Sequence, residues 1–382
     1  MFFCTKKKKT VPLSRRLLDI KGKLTKSLYS AQTYDFDDLS CEERTIVGHI
    51  KQTTGLLNVN NVSRTKAYLD FYRQYPEIHW AFLGHAVSRN GGWNMTDLKG
   101  DLLSRLMNEK KQEEFFEFLE RGNWLIFQDA YPQFLLYGES IRRKRGLFHL
   151  LPHFGISKFM EVIWEDFWYR RDSYILAMAQ VVNEQSYLEA RMIQNPFYME
   201  KVLHTLEFVL QDLLSFNQIL FPSLKKGRKT VLTGMTIHQF GSLHERIILG
   251  RRLYHLLFSD RQRHQDILIW CMIQPHSGSR KDYWPQIFND VNEGLPGPLQ
   301  IRRLRNCRLI RNSPRLYSPR LEYAWPNMKH RPAEPGDWFD DCSVVRYLIE
   351  NDEPVDGKIT GDYCETLQNL ELAALAKKTV FI

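Results

Sequence analysis

The chain has 382 residues, 43% of them hydrophobic and 13% aromatic, and a formal net charge of +9. That apolar supply can build a large core without disulfides or structural metals, and the length admits one large domain or two to three smaller ones. No run of 18 apolar residues occurs, which excludes an ordinary membrane-spanning helix. The cysteines Cys4, Cys41, Cys271, Cys307, Cys342 and Cys364 are scattered with no Cys-x-x-Cys pair. That pattern points to a reducing, cytoplasmic setting in which they act as small hydrophobes with no assigned role.

Residues 1–30 carry Lys6 to Lys9, Arg15, Arg16, Lys21, Lys23 and Lys26 against Asp19, a charge of +8, and read as a flexible basic arm. No apolar stretch follows Met1-Phe2-Phe3, so the arm is not a signal peptide. With Leu13, Leu17, Leu18 and Leu24 nearby, residues 6–26 are either a solvated arm or a weak contact for an anionic membrane surface.

A helical body is expected over 31–292. Ser40-Cys41-Glu42-Glu43 has the form of a capping box, Asn61 can cap a helix running to about Tyr72, and Pro76 suits the first turn of the next. Gly91-Gly92 is expected to end that helix near Asn90. Helices are also expected over Thr96–Asn108, Gln112–Glu120, Trp124–Arg143, Phe159–Gln194 with a break near Arg170-Arg171, and Pro196–Leu220. A further capping box, Ser242 to Glu245, opens a helix in which Gly250 invites close packing. Alternating strand patterns are almost absent before residue 290, so the fold class is all-α, a multi-helix globular bundle.

Residues 293–382 are punctuated by proline and change texture after Gly294-Leu295-Pro296-Gly297-Pro298. Ser313-Pro314-Arg315-Leu316 recurs as Ser318-Pro319-Arg320-Leu321, too short for an architectural repeat. An extended wrap across the body is expected, anchored by Trp325 and Trp338, with short closing helices at Ser343–Glu350 and Thr360–Lys377. A basic stretch, residues 302–331, precedes an acidic one, 334–373, which suggests pairing within the chain as readily as an external polyanion.

Phosphate-binding, dinucleotide-binding and nucleophile-elbow motifs are missing, and His244-Glu245 lacks a second histidine one turn on because position 248 is Ile. No metal site is assigned. His244, Arg251 and His255, with His238, share a region without a recognised ligand spacing.

The stretch from Pro76 to Asp101 stands apart. Ile78, Trp80, Ala81, Phe82, Leu83, Ala86 and Val87 surround nearly the whole helix, so His79, His85 and Arg89 must find buried partners. One reading is a pocket for an anionic ligand lined by His79, His85, Arg89, Asn90, Asn94, Asp97 and His244, with His85 as candidate acid or base should the protein be a hydrolase or transferase. The competing reading is a structural network in which Asp97 or Asp101 pairs with Arg89. A third possibility is a nucleic-acid accessory protein that uses Arg302, Arg303, Arg305, Arg308 and Arg315, interleaved with Tyr317, Tyr323 and Trp325.

The run His79-Trp80-Ala81 and His85-Ala86-Val87-Ser88-Arg89-Asn90-Gly91-Gly92-Trp93-Asn94-Met95-Thr96-Asp97-Leu98-Lys99-Gly100 resembles a bacterial family found mainly among Firmicutes, domain of unknown function 2515. Arg246-Ile247-Ile248-Leu249-Gly250-Arg251-Arg252-Leu253-Tyr254 and Tyr317-Ser318-Pro319-Arg320-Leu321 are similar to later parts of the same family. The resemblance spans about residues 40 to 340 and implies that the body and the wrap belong together. It brings no activity, cofactor or catalytic residue with it.

Overall fold

A computed structural model of the chain describes residues 11–29, 35–203, 218–225, 229–236, 241–294, 299, 301–350 and 355–380. It is mostly α-helical, as the absence of alternating patterns predicts. In chain order the main helices are α1 (Arg15–Leu28), α2 (Cys41–Leu57), α3 (Asn61–Gln74), α4 (His79–Asp97), α5 (Glu109–Arg143), α6 (Lys158–Arg170), α7 (Ser173–Leu188), α8 (Leu243–Phe258), α9 (Arg261–Ile273) and α10 (Thr360–Val380). Helix α4 is central: it packs against α3, α5, α7 and α8. No helix among the described residues is long and apolar enough to cross a membrane.

Residues 15–28 of the expected basic arm form α1, which buries Leu17, Ile20 and Leu24 against α6. Arg16 is fastened to Asp166 and Asp172. The apolar face of this segment is thus spent on the body. Lys6 to Lys9 lie outside the described residues.

The Ser40–Glu43 capping box is present at α2, with both reciprocal bonds made. The cap of α3 is Asn60, one residue before the expected Asn61. The break between α6 and α7 falls where expected: Arg171 adopts φ 54°, a left-handed conformation that ends α6, and Asp172 caps α7. Gln112–Glu120 and Trp124–Arg143, read as two helices, are one 35-residue helix that runs through Gly122 and Pro132. Burial against α2, α3, α4 and α7 outweighs the helix cost of a single glycine, about 1 kcal/mol.

Two expectations fail for instructive reasons. Helix α4 does not stop at Asn90 but continues through Gly91-Gly92 to Asp97. These glycines serve close approach: a Cβ on Gly92 would lie 2.3 Å from both Asn61 Oδ1 and His276 Nε2. After α4 the expected helix over Thr96–Asn108 shrinks to one turn, Leu103–Leu106.

Of the expected helix over Pro196–Leu220, residues 204–217 lie outside the described ones, and the described residues at both ends depart from it. Pro196–Tyr198 makes one turn, followed by a π turn at Met199–Leu203. From Gln218 the chain is a strand, β1 (Gln218–Lys225), paired antiparallel with β2 (Lys229–Thr236) so that Leu220 faces Gly234 and Pro222 faces Leu232. Ile219, Leu220, Phe221 and Pro222 are buried in succession. A strand covered on both faces shows no alternation, so periodicity alone cannot separate it from a buried helix.

The C-terminal wrap holds three short strands besides β3 (Phe288–Asn289): β4 (Leu304–Arg305) pairs with β5 (Arg308–Leu309), and β6 (Leu316–Tyr317) runs parallel to β3. Trp325 stacks on Phe116 at 4.2 Å and donates to the Met95 carbonyl at 2.8 Å, while Trp338 donates to Asn183 Oδ1 at 2.8 Å. Both tryptophans anchor the wrap as expected. The segment read as a closing helix at Ser343–Glu350 is a 3-10 helix, Cys342–Leu348. Cys307 and Cys364 are joined in a disulfide with Cα atoms 5.2 Å apart, tying the β4–β5 turn to α10. This corrects the reading of all six cysteines as unlinked, because sequence spacing says nothing about two residues that meet only in the fold.

Candidate functional site

His85 and Arg89 lie one turn apart on α4, both almost fully buried. His85 Nδ1 donates to the Thr65 carbonyl at 2.8 Å, and its Nε2 accepts from Arg89 Nε at 3.1 Å. Burial, with Arg89 beside it, holds the imidazole neutral, its pKa well below the usual value. Arg89 then reaches the carbonyls of Cys271, at 3.2 Å, and Gln274. Those carbonyls end α9, so the guanidinium caps its C-terminus. Both ring nitrogens of His85 are engaged, which leaves neither free for proton transfer in this arrangement.

The aspartates expected near Arg89 pair elsewhere. Arg280 Nε bonds both oxygens of Asp97, at 2.9 and 2.8 Å, and the same guanidinium reaches Tyr283, Tyr363 and Asn94 Oδ1. Asp101 pairs with Arg303 at 2.6 Å, and Glu371 accepts from the backbone N–H groups of Arg303 and Leu304, both at 2.9 Å. Asn90 clamps β1, accepting from Leu220 N at 2.8 Å and donating to Leu220 O at 2.9 Å.

The remaining candidate histidines lie apart from this network. His79 hydrogen-bonds the Tyr254 hydroxyl at 2.8 Å and stacks on Phe258 at 4.2 Å, and burial lowers its pKa to about 4. His244 is exposed and meets the Tyr347 hydroxyl at 2.9 Å. His238 lies outside the described residues. Among the described residues no group of three or more His, Cys, Asp or Glu side chains is placed to hold a metal ion.

In the arginine-rich stretch, Arg303 is buried in the pairs above and Arg315 is held by Glu293. Arg302 donates to the Leu304 carbonyl and to Gln368 Oε1. Arg305 and Arg308 are exposed. The structure therefore gathers Asn94 and Asp97 around Arg280, joins His85 to Arg89, and disperses the other candidates.

A cavity of about 250 Å³ opens between α3, α4, α5, α7, α8 and β1. Its walls are mainly apolar, with Leu83, Val87, Phe118, Ile126, Val181 and Leu253. The π turn after α7 (Glu189–Ile193) adds Met192 and Ile193. Glycines let the walls close up: a Cβ on Gly250 would lie 2.6 Å from Val181 Cγ1, which is the close packing the sequence suggested. Asn90 and Asn94 are on the wall, whereas His85 and Arg89 are not among the lining residues.

Trp80, Glu184, Gln185 and Arg246 also line the cavity. Burial pushes the Glu184 carboxyl up to about 8, so at neutral pH it is mostly protonated. Its Oε1 accepts from Gln185 Nε2 at 2.9 Å, and Gln185 Oε1 accepts from Arg246 Nε at 3.0 Å. Arg246 also pairs with Glu189, and Arg64, another lining residue, pairs with Glu120 at 2.5 Å. The Trp80 indole N–H is buried beside Glu184.

The profile of the family described as "Protein of unknown function (DUF2515)" matches residues 56–347. The chain belongs to this family. It is also similar to the uncharacterized protein YppC of Bacillus subtilis (strain 168), 42% identical over 239 residues, which is 63% of this chain and 73% of that protein. No solved structure matches the chain. The span matched to the DUF2515 family contains every residue that lines the cavity and stops short of α10.

Within this DUF2515 member, the sequence reading does not single out Glu184 and takes Trp80 only as part of the apolar surround of α4. A signal for Glu184 was present. In Val181-Val182-Asn183-Glu184-Gln185, polar side chains interrupt a helix that is otherwise apolar, the same feature that drew attention to α4.

Proposed function

We propose that the protein binds a compact, largely apolar and uncharged small molecule in the cavity between α3, α4, α5, α7 and α8. The observation that carries this reading is the cavity itself, about 250 Å³ with mainly apolar walls and a few polar groups among them. An engineered apolar cavity of about 150 Å³ takes up benzene, so this one suits a molecule of roughly ten non-hydrogen atoms. Arg64 and Arg246 at the wall already face Glu120 and Glu189, which favours an uncharged ligand over the anion suggested by the sequence.

The test is uptake of indane, measured by calorimetry and by ligand-detected NMR, on the full chain and on Val87→Phe, whose ring would occupy the space. Saturable binding by the wild type and its loss in a folded Val87→Phe variant are expected. No saturable binding by the wild type, or equal binding by the filled variant, overturns the proposal.

A further inference from the structure

Resting on the cavity reading above, we infer that Asn94 determines which ligand the cavity takes: its side-chain nitrogen donates to an uncharged oxygen of the ligand, and Arg280 fixes the amide in the orientation that presents this nitrogen. Leu83, Val87, Asn90, Gly91 and Asn94 recur at three- and four-residue spacing along α4 and form one wall of the cavity. The polar side chains of the cavity differ in what they have left to offer. Asn90 gives its amide hydrogens to the Ala86 and Leu220 carbonyls, at 3.0 and 2.9 Å, and accepts from Leu220 N. The Ser88 hydroxyl is bonded to that of Thr65 at 2.6 Å, and Asn123 on α5 donates to the Leu119 carbonyl at 2.8 Å while accepting from Asn61 at 3.2 Å. Asn94 makes a single hydrogen bond, in which its Oδ1 accepts from Arg280 Nη2 at 3.2 Å. Its Nδ2 has no partner among the described residues, although the residue is only 8% exposed.

The partner of Oδ1 decides which end of the amide meets the cavity. A guanidinium carries donors only, so the amide must turn its oxygen to Arg280 and its nitrogen away. Arg280 is itself immobilised, by Asp97 at its Nε and by Tyr283 and Tyr363 at its Nη1. Asp97 lies on the C-terminal side of Asn94, whereas Asn90 and Gly91 lie one turn back toward the N-terminus and line the cavity. Helical side chains lean over the turn on their N-terminal side, and Gly91 puts no side chain in the way. The amide therefore spans two environments, its oxygen toward the ion pair and its nitrogen toward the cavity.

A buried N–H without an acceptor is costly, and a ligand oxygen removes that cost where a hydrocarbon of the same shape does not. A site built on such a bond rejects the analogue that lacks the matching atom. A ligand presenting its own N–H would set donor against donor. A carboxylate would bring a charge to a wall whose arginines, Arg64 and Arg246, are already paired with Glu120 and Glu189. The class that fits is a compact apolar skeleton bearing one neutral oxygen acceptor within reach of Asn94.

The experiment compares three bicyclic probes of nearly equal size by calorimetry at pH 7 on the full chain: indane, phthalan, in which a ring oxygen replaces one CH2, and indoline, in which a ring N–H does. Phthalan is expected to bind about fivefold more tightly than indane, the fold-change of one added hydrogen bond, and indoline no more tightly than indane. Asn94→Leu keeps the volume and removes the donor, so indane binding should persist while the advantage of phthalan disappears. Asn94→Asp keeps an oxygen for Arg280 and turns a second oxygen to the cavity in place of the N–H, so the order should invert, with indoline ahead of phthalan. Melting temperatures establish that the variants are folded, and either variant decides if the other does not fold. If indane binds the wild type and phthalan binds no better, if the wild type prefers indoline, or if the preference for phthalan survives in a folded variant, the inference is overturned while the cavity reading stands. If none of the probes binds the wild type, the cavity reading fails and the inference with it.

Discussion

The guanidinium of Arg89 lies over the ring of Trp270, with its central carbon 4.6 Å from the ring centroid. The same group that stacks on the side chain of α9 also bonds the carbonyls that end that helix. Arg89 is thereby a joint between α4 and α9, and the planar, forked shape of its head group is what lets one side chain do both.

Replacing it should be costly. Arg89→Ala removes the cap and opens a void in the core, and a loss of about 3 kcal/mol in unfolding free energy is expected from denaturant titration. Arg89→Lys keeps the charge but neither the fork nor the stacking plane, and should recover less than half of that loss. A loss below about 1 kcal/mol for Arg89→Ala would mean the joint is dispensable.

The two adjacent glycines of α4 should behave differently. A Cβ on Gly92 would meet Asn61 Oδ1 and His276 Nε2 at 2.3 Å, whereas one on Gly91 would come within 3.0 Å of Asn123 Oδ1. Gly92→Ala is expected to cost about 2 kcal/mol or more, while Gly91→Ala is expected to be nearly neutral, its small strain offset by better helix propensity. Equal melting temperatures for the two variants would contradict the packing described for Gly92.

Stability should fall on the alkaline side of neutrality. Burial raises Asp129 from 3.8 to about 7 and Glu184 from 4.5 to about 8, so at intermediate pH the unfolded chain binds fewer protons than the folded one. Their contribution is therefore fully present below the unfolded values and is lost as pH rises toward the folded ones. His79, lowered from 6.5 to about 4, acts in the opposite sense, its contribution being lost as pH falls from 6.5 toward 4. Between pH 6.5 and 8 the acids dominate, and a decline of roughly 1–2 kcal/mol is expected. Glu184→Gln should remove most of it and Asp129→Asn the rest; an unchanged slope in the double variant would exclude these groups as its source.

The Cys307–Cys364 bridge is directly countable. Under denaturing, non-reducing conditions two fewer thiols should react than after reduction, and Cys364→Ser should abolish the difference. The bridge closes a loop of 57 residues, for which chain-entropy arguments give a stabilisation of about 4 kcal/mol. Identical thiol counts before and after reduction would show that the purified chain lacks the bond.

What the sequence made legible was local. The capping box at Ser40, the break at Arg171 and the anchoring tryptophans follow from short-range chemistry, and each is where the residues place it. The departures share a cause: intrinsic preference ends a helix at Gly91-Gly92 and favours helix through β1, while the conformations are set by partners distant in sequence, Asn61 and His276 for one and β2 with Asn90 for the other. The site shows the same division. The unusual polarity inside α4 was visible, but its partners, Arg280 for Asp97 and the end of α9 for Arg89, lie 183 and 182 or more residues away. A cavity is invisible to any one-dimensional pattern, since no single segment encloses it.

The dependence of α4 on Arg280 and on the end of α9 also bears on how the chain is made. A ribosome releases α4 long before residues 271–280, and in that interval Arg89 and Asp97 lack the partners that make their burial tolerable. The central helix is therefore held in a provisional state until the last third of the polypeptide arrives to seal it. A chain halted before that point should remain open to protease at α4, however well its early helices have formed.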